Sequence, residues 1–163
     1  MPESSIAAQL YTVRDFLKTP SDIASSLKRV GQIGYRAIQC SGLGPIDPTE
    51  LKALADSEGL TICATHVGYD RLRDETEAVV DEHRIWECPY VAIGGLPKDY
   101  REDGEAGFTR FAKEATEVAR KLSDAGLTFG YHNHSFELER FGDRTALQIL
   151  FDESDAEVFQ FEI

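Results

Sequence analysis

Short strand-like runs alternate with longer helical runs along the chain, and no other feature constrains its fold as strongly. The helical runs carry apolar side chains at intervals of three and four residues, and the shorter runs between them are rich in apolar residues. This pattern predicts strands over residues 6–11, 35–40, 60–66, 90–93, 127–132 and 157–163. Because strands joined by helical crossovers run parallel, the alternation predicts an α/β fold with a parallel sheet and helices outside it.

Capping residues predict where the helices begin and end. After Pro20, Ser21 or Asp22 is expected to cap the first helix, and Gly34 is expected to end it. The DPTE run that begins at Asp47 predicts the start of a second helix, because aspartate accepts free N–H groups and proline has the φ of the first helical position. Further helices are predicted over residues 74–86, 108–122 and 145–151.

Two architectures share this alternation, an open doubly wound sheet and a (β/α)₈ barrel. An open sheet that binds nucleotides usually has a glycine-rich loop after its first strand, but residues 10–14 (LYTVR) contain no glycine. We therefore predict a single domain of parallel (β/α) TIM-barrel type over residues 1–163. Such barrels have eight units in about 250 residues, and this sequence supplies about six. We expect either that the chain continues past Ile163 or that a second copy, in a homo-oligomer, closes the wall.

The composition excludes several classes of partner. Twenty-nine acidic against seventeen basic side chains give a net charge of −12, which repels nucleic-acid phosphates and anionic membranes. No run approaches the roughly 18 apolar residues of a membrane helix, and residues 1–5 lack the basic start of a signal peptide. Cys40, Cys63 and Cys88 are odd in number and widely spaced, which is typical of free thiols. We expect a cytoplasmic protein that binds neither nucleic acid nor membranes.

Three of the four histidines are expected at the carboxyl ends of strands, where parallel α/β folds bind their ligands. His66 closes the third strand, and His132 and His134 close the fifth. Because side chains alternate along a strand, His132 and His134 should both point into the barrel, with Glu137 just beyond them. Imidazoles and a carboxylate suit Mn²⁺, Co²⁺ or Zn²⁺, so these three are the predicted metal ligands. Ordinary hydrogen-bonded histidines remain the alternative.

Polar side chains also face inward on other predicted strands. Gln9 and Gln39 occupy comparable places on the first two strands, and Gln160 and Glu162 face inward on the sixth. A polar residue on each of several strands is what a polyol would need for hydrogen bonds to its hydroxyls. The alternative is that these residues form the ordinary polar layers of a barrel interior.

Three motifs resemble those of one protein family. Residues 9–15 (QLYTVRD) resemble the QLYSVRD opening of the sugar phosphate isomerase/epimerase proteins, which are xylose-isomerase-like TIM barrels. Residues 64–68 (ATHVG) resemble the SAHVG stretch of that family, and residues 131–137 (YHNHSFE) resemble its YHNHxFE signature. The motifs occur in family order, and the resemblance covers essentially the whole chain. One departure is Gln39, which stands where many members have glutamate.

The resemblance implies an enzyme that uses a divalent metal (Mn, Co, Zn or Mg) and acts on a sugar or polyol. The shared step is removal of a proton next to a carbonyl whose oxygen the metal polarises. In this chain His132, His134 or Glu137 would supply the metal ligand of the fifth strand. By the same resemblance we assign proton transfer to Glu137 and His66. Contacts with the substrate are assigned to Gln9, Gln39, His66 and Asn133.

The function predicted first is therefore a sugar isomerase or epimerase. A keto-sugar or inosose dehydratase or lyase is a close variant on the same scaffold. Abasic-site endonucleases share the superfamily, but they need a basic surface that faces DNA, and this chain is strongly acidic. A non-catalytic barrel that serves as a binding subunit is the remaining alternative.

Overall fold

The computed structural model of the protein describes residues 6–163, so the first five residues, which the signal-peptide argument concerns, lie outside the described residues. The chain divides into two compact units. The first contains residues 6–66 and Asp81–Pro89, and the second contains Val67–Val80 and Tyr90–Ile163. Each unit has a buried apolar cluster of its own.

Three parallel strands form the sheet of the first unit, and their spatial order follows the sequence. They are β1 (Ala7–Gln9), β2 (Ala37–Cys40) and β3 (Thr61–His66), and they are connected by α1 (Pro20–Ile33) and α2 (Pro48–Ser57). The strands are shorter than predicted. In particular, β1 ends at Gln9 because the following residues, Leu10–Phe16, form a 3-10 helix. The predicted parallel arrangement is confirmed in this unit.

Thr19, and not Ser21 or Asp22, caps helix α1. The Thr19 hydroxyl accepts a hydrogen bond from the Asp22 amide, and the Asp22 carboxylate accepts one from the Thr19 N–H, which is a reciprocal capping box. Pro20 is the first helical residue, where a missing N–H leaves no hydrogen bond unmade. The predicted cap was wrong because the helix includes its proline. Asp47 caps α2 as predicted.

The second unit also has three parallel strands in sequence order. The strands are β4 (Tyr90–Ile93), β5 (Thr128–His132) and β8 (Phe159–Glu162), and the helices of the unit include α3 (Tyr69–Asp74), α5 (Lys98–Glu102), α6 (Gly104–Asp124) and α7 (Ala146–Glu153). Between β5 and α7 lies an antiparallel hairpin of two short strands, β6 (Arg140–Phe141) and β7 (Arg144–Thr145). The hairpin and the short helices α3 and α5 were not predicted. The helix predicted over residues 74–86 is α4 (Thr76–Trp86).

The core of the second unit follows from the predicted periodicities. On α6, Phe108 and Phe111 belong to the apolar face, and on β5 the alternate residues Phe129 and Tyr131 are fully buried. The intervening strand residues are only half-buried. The helix layer therefore covers one face of β5, and the other face carries His132. Across the described part of the chain, no helix combines the length and the apolar character that a bilayer span requires.

Candidate functional site

An imidazole and a carboxylate lie side by side at the carboxyl ends of two neighbouring strands of the second unit. His132 on β5 and Glu162 on β8 are register partners in the parallel ladder. The His132 Nδ1 and Glu162 Oε1 atoms are 3.7 Å apart, and both side chains are about one-third exposed. The Asn133 N–H donates a hydrogen bond to the Glu162 carbonyl oxygen at 3.4 Å, which extends the ladder past the pair. The hydrogen-bonded backbones of the two strands therefore fix the positions of His132 and Glu162 relative to each other.

The separation of these donor atoms fits one shared divalent ion. Zn²⁺ lies about 2.0–2.2 Å from an imidazole nitrogen or a carboxylate oxygen, so two ligands of one ion are at most about 4.3 Å apart. The 3.7 Å between the two donor atoms is within this limit, and it is longer than a hydrogen bond. A nitrogen and an oxygen together suit Zn²⁺, Co²⁺ or Mn²⁺ better than Mg²⁺, which prefers oxygen ligands. His132 and Glu162 therefore fit a metal that their strands would hold.

His134 lies beside His132 and is held by ring contacts. The two imidazole rings meet edge to face with centroids 5.0 Å apart, and the His134 ring stacks on Phe136 at 5.8 Å. Gly95, which follows β4, has a φ of 155°, and a Cβ built there would lie 3.3 Å from the His134 Cε1 atom. A larger residue at Gly95 would therefore press on the imidazole. The side chain of His134 is otherwise exposed at this strand end.

Glu137 lies in the core of the second unit instead of at the strand end. It belongs to a 3-10 turn, Phe136–Leu138, and its side chain is fully buried. One carboxylate oxygen accepts a hydrogen bond from the Tyr131 hydroxyl at 2.6 Å, and the other accepts one from the His134 backbone N–H at 2.7 Å. Burial and the neighbouring carboxylate raise the pKa of the Tyr131 hydroxyl. These contacts favour a positioning role for Glu137 over the predicted ligand and proton-transfer roles.

The first unit carries a separate row of polar side chains. Gln9 and Gln39 are register partners on β1 and β2, and the Gln9 Nε2 donates to the Gln39 Oε1 at 2.6 Å. The Gln39 Nε2 lies 3.1 Å from the His66 Nε2, and the Ser41 Oγ lies 3.1 Å from the His66 Nδ1. The predicted residues Gln9, Gln39 and His66 are therefore brought together, and Ser41 joins them without having been predicted.

The fourth histidine has a structural explanation. His83 on α4 is 1% exposed, its Nε2 lies 2.7 Å from the Thr65 hydroxyl, and its ring meets Trp86 edge-on at 5.2 Å. These are the contacts of a packed and hydrogen-bonded core histidine. Packing and this hydrogen bond therefore account for His83.

Solved structures with the same arrangement of elements are known. Two structures of a sugar phosphate isomerase/epimerase from Parabacteroides distasonis superpose with TM-scores of 0.79 and 0.80, at 19% and 18% identity, over 99% and 97% of this chain. A xylose isomerase-like TIM barrel protein from Mycobacterium smegmatis, in complex with magnesium, superposes with a TM-score of 0.69 at 12% identity over 97% of this chain. This chain has the fold of the xylose isomerase-like TIM barrels.

Because the sequence identities are low, the similarity to these structures shows the fold alone. The chain spans 65% and 68% of the two isomerase/epimerase chains and 63% of the magnesium-bound one. The same fold is found in an AP endonuclease of family 2 from Brucella melitensis (13% identity, TM-score 0.63) and in the probable 3-DHS dehydratase AsbF from Bacillus anthracis (9%, 0.68). No protein-family model and no curated protein sequence matches the chain. The predicted fold class and the resemblance in fold are confirmed.

The candidate ligand that sequence reasoning missed is Glu162. Its inward direction was predicted from the alternation along the sixth strand, but its place beside His132 depends on the pairing of β5 with β8. Ser41 was missed because it follows the last residue of β2, where alternation no longer predicts a direction. The register between β5 and β8, and not the residue type, is the information that would have identified Glu162.

Proposed function

We propose that this protein is a divalent-metal-dependent isomerase or epimerase of a sugar or polyol. The observation that carries the proposal is the His132–Glu162 pair, an imidazole and a carboxylate 3.7 Å apart at the carboxyl ends of adjacent parallel strands. Ligands of α/β barrels bind at this end of the strands. The magnesium complex of one structural neighbour supports a metal on this scaffold.

In this proposal the predicted side chains have different tasks. His132 and Glu162 would hold the ion, and a bound ion would polarise the carbonyl oxygen of a keto-sugar. His134 lies beside this pair, and Asn133 is the next residue after β5. The prediction that Gln9, Gln39, His66 and Asn133 contact the substrate is kept as part of this proposal. His66 keeps its predicted part in proton transfer, since one ring nitrogen of a neutral imidazole can accept a proton.

A keto-sugar dehydratase is the second candidate, because it begins with the same proton removal and a dehydratase is among the structural neighbours. An endonuclease is disfavoured even though one neighbour is an AP endonuclease. The net charge of −12 opposes the approach of a DNA backbone. Cys40, Cys63 and Cys88 form no disulfide in the structure, which agrees with the proposed cytoplasmic location.

A titration with MnCl₂ followed by amide NMR tests the metal site. A bound Mn²⁺ ion broadens the signals of nearby nuclei even when binding is weak, and we expect binding weaker than micromolar. The amides of His132, Asn133 and Glu162 should broaden first. His132→Ala and Glu162→Gln should abolish this preference of Mn²⁺ for the strand ends. Glu139→Gln, which changes an exposed carboxylate seven residues after His132, should leave it intact. Broadening spread over the acidic surface, with no preference for the strand ends, would contradict the proposal.

Exchange of substrate hydrogen in D₂O tests the chemistry without knowledge of the product. Removal of a proton next to a carbonyl allows deuterium to enter at that carbon, so incubation with a panel of keto-sugars and Mn²⁺ should give deuterated substrate or product. NMR of the sugar then separates isomerisation and epimerisation from dehydration. Absence of exchange across the panel, with Mn²⁺ bound as predicted, would refute the isomerase and leave a metal-binding barrel.

A further inference from the structure

Four side chains of the first unit form a continuous chain of hydrogen bonds that begins at a backbone amide. The Tyr11 N–H donates to the Gln9 Oε1 at 3.1 Å, and the Gln9 Nε2 donates to the Gln39 Oε1 at 2.6 Å. The Gln39 Nε2 then meets the His66 Nε2 at 3.1 Å, and the His66 Nδ1 meets the Ser41 Oγ at 3.1 Å. Ser41 is 5% exposed, and the other three side chains are half-buried.

The first bond fixes the direction of every bond that follows. A backbone N–H can only donate, so the Gln9 atom facing Tyr11 must be its oxygen, and the Gln9 NH₂ group must face Gln39. An NH₂ group can only donate, so the Gln39 oxygen faces Gln9 and its NH₂ group faces His66. The His66 Nε2 must then be an acceptor and carry no proton.

We propose that Gln9 and Gln39 are positioning residues that hold His66 as the neutral tautomer with its proton on Nδ1. The Nδ1–H donates to the Ser41 hydroxyl, and the lone pair of Nε2 faces the Gln39 amide. A glutamate at position 39 would impose the opposite tautomer, with the proton on Nε2, because a carboxylate only accepts hydrogen bonds. The amide at this position therefore decides which ring nitrogen is the acceptor.

The tautomer determines the kind of substrate group that His66 can bind. Because the lone pair of Nε2 already accepts from the Gln39 amide, a substrate group can bind there only by replacing that N–H. A donating hydroxyl of a sugar or polyol can do so, whereas a carboxylate or a phosphate, which only accepts, cannot. This consequence rests on the proposed function, whereas the tautomer itself does not. Gln9 and Gln39 would thus set substrate specificity through His66.

The ¹⁵N chemical shifts of the His66 ring, measured on the full chain without metal or sugar, test the assignment. At about pH 8 an ordinary histidine is neutral, and each nitrogen then shows whether it carries a proton. We expect Nδ1 to be protonated and Nε2 to be unprotonated in the unaltered protein. The opposite pattern, or an even mixture of tautomers, would overturn the proposal.

Two substitutions test the causal chain. Gln39→Glu should move the proton from Nδ1 to Nε2, because the carboxylate can accept from both Gln9 and His66 while Ser41 reverses its bond. Gln9→Glu should do the same through the amide of Gln39, although Gln9 has no direct bond to the ring in this chain of contacts. Gln32→Glu, an identical change at an exposed position of α1, is the matched control and should leave the tautomer as it is.

A Ser41→Ala variant separates the roles of the two ends. The proton should stay on Nδ1, since the direction is set by Gln39, and a proton that moves to Nε2 would show that Ser41 sets the tautomer instead. A failure of Mn²⁺ binding would refute the proposed function and leave the tautomer assignment standing. A wrong tautomer together with Mn²⁺ bound as predicted would refute the tautomer assignment alone.

Discussion

Replacing Glu137 with alanine tests whether this carboxylate holds the strand end in place. The change leaves the buried Tyr131 hydroxyl and the His134 N–H without their shared acceptor. A hydrogen bond to a charged group contributes about 1.5–3 kcal/mol, so two such bonds are worth about 3–6 kcal/mol. Loss of the buried charge also removes its desolvation cost, so we expect the lower end, about 3 kcal/mol of unfolding free energy.

Urea unfolding followed by circular dichroism measures this loss. Glu139→Ala removes an exposed carboxylate two residues away and should change the unfolding free energy by less than about 0.5 kcal/mol. Glu137→Gln can accept from the His134 N–H and donate to the Tyr131 oxygen, so it should recover most of the stability.

A double-mutant cycle with Tyr131→Phe isolates the hydrogen bond between the two side chains. Tyr131→Phe should cost about 1.5–3 kcal/mol, because it leaves the buried carboxylate with the His134 amide alone. Once Glu137 is alanine, the same change should cost at least about 1 kcal/mol less. Strictly additive effects, or a Glu137→Ala loss no larger than that of the Glu139 control, would refute the reasoning.

Three further outcomes are expected. Thr19→Ala should lower the unfolding free energy by about 1 kcal/mol, whereas Ser21→Ala should have little effect, because Thr19 alone caps α1 in the structure. Thermal unfolding of both variants measures this difference. Cys63, which is half-buried, should react with iodoacetamide before Cys40, since burial raises the pKa of the Cys40 thiol; mass spectrometry of partly labelled native protein identifies the site. Stability should fall as pH rises above about 10, because unfolded tyrosine ionises there while burial and a carboxylate raise the pKa of Tyr131 in the folded protein. Tyr131→Phe should make this fall shallower in a pH series of urea unfolding curves.

The alternation of the sequence predicted the type and order of the main elements well, because each element depends on local periodicity. The predicted strand over residues 90–93 is β4 itself, and the predicted helices reappear as α1, α2, α4, α6 and α7. The elements that the sequence pattern did not predict are short or depend on a turn. The helices α3 and α5 span six and five residues, too few for a helical periodicity to be recognised.

The metal-ligand prediction shows that alternation along one strand predicts side-chain direction within the strand but not beyond its end. The inward direction of His132 agrees with its half-buried position opposite the buried Tyr131. Glu137 lies five residues past the end of β5, after a turn that the strand pattern does not describe, and the turn brings its carboxylate back to Tyr131. The predicted roles of these residues in metal binding and catalysis remain predictions.

The sequence by itself determined the α/β alternation, the apolar faces and the placement of three histidines at strand ends, because these follow from interactions within a few residues of the chain. Only the tertiary structure decided that Glu162, thirty positions along the chain, lies beside His132, and that Gln9, Gln39 and His66 form one directed chain. The register between strands sets these neighbours. That register depends on how whole faces pack, and no single strand contains this information.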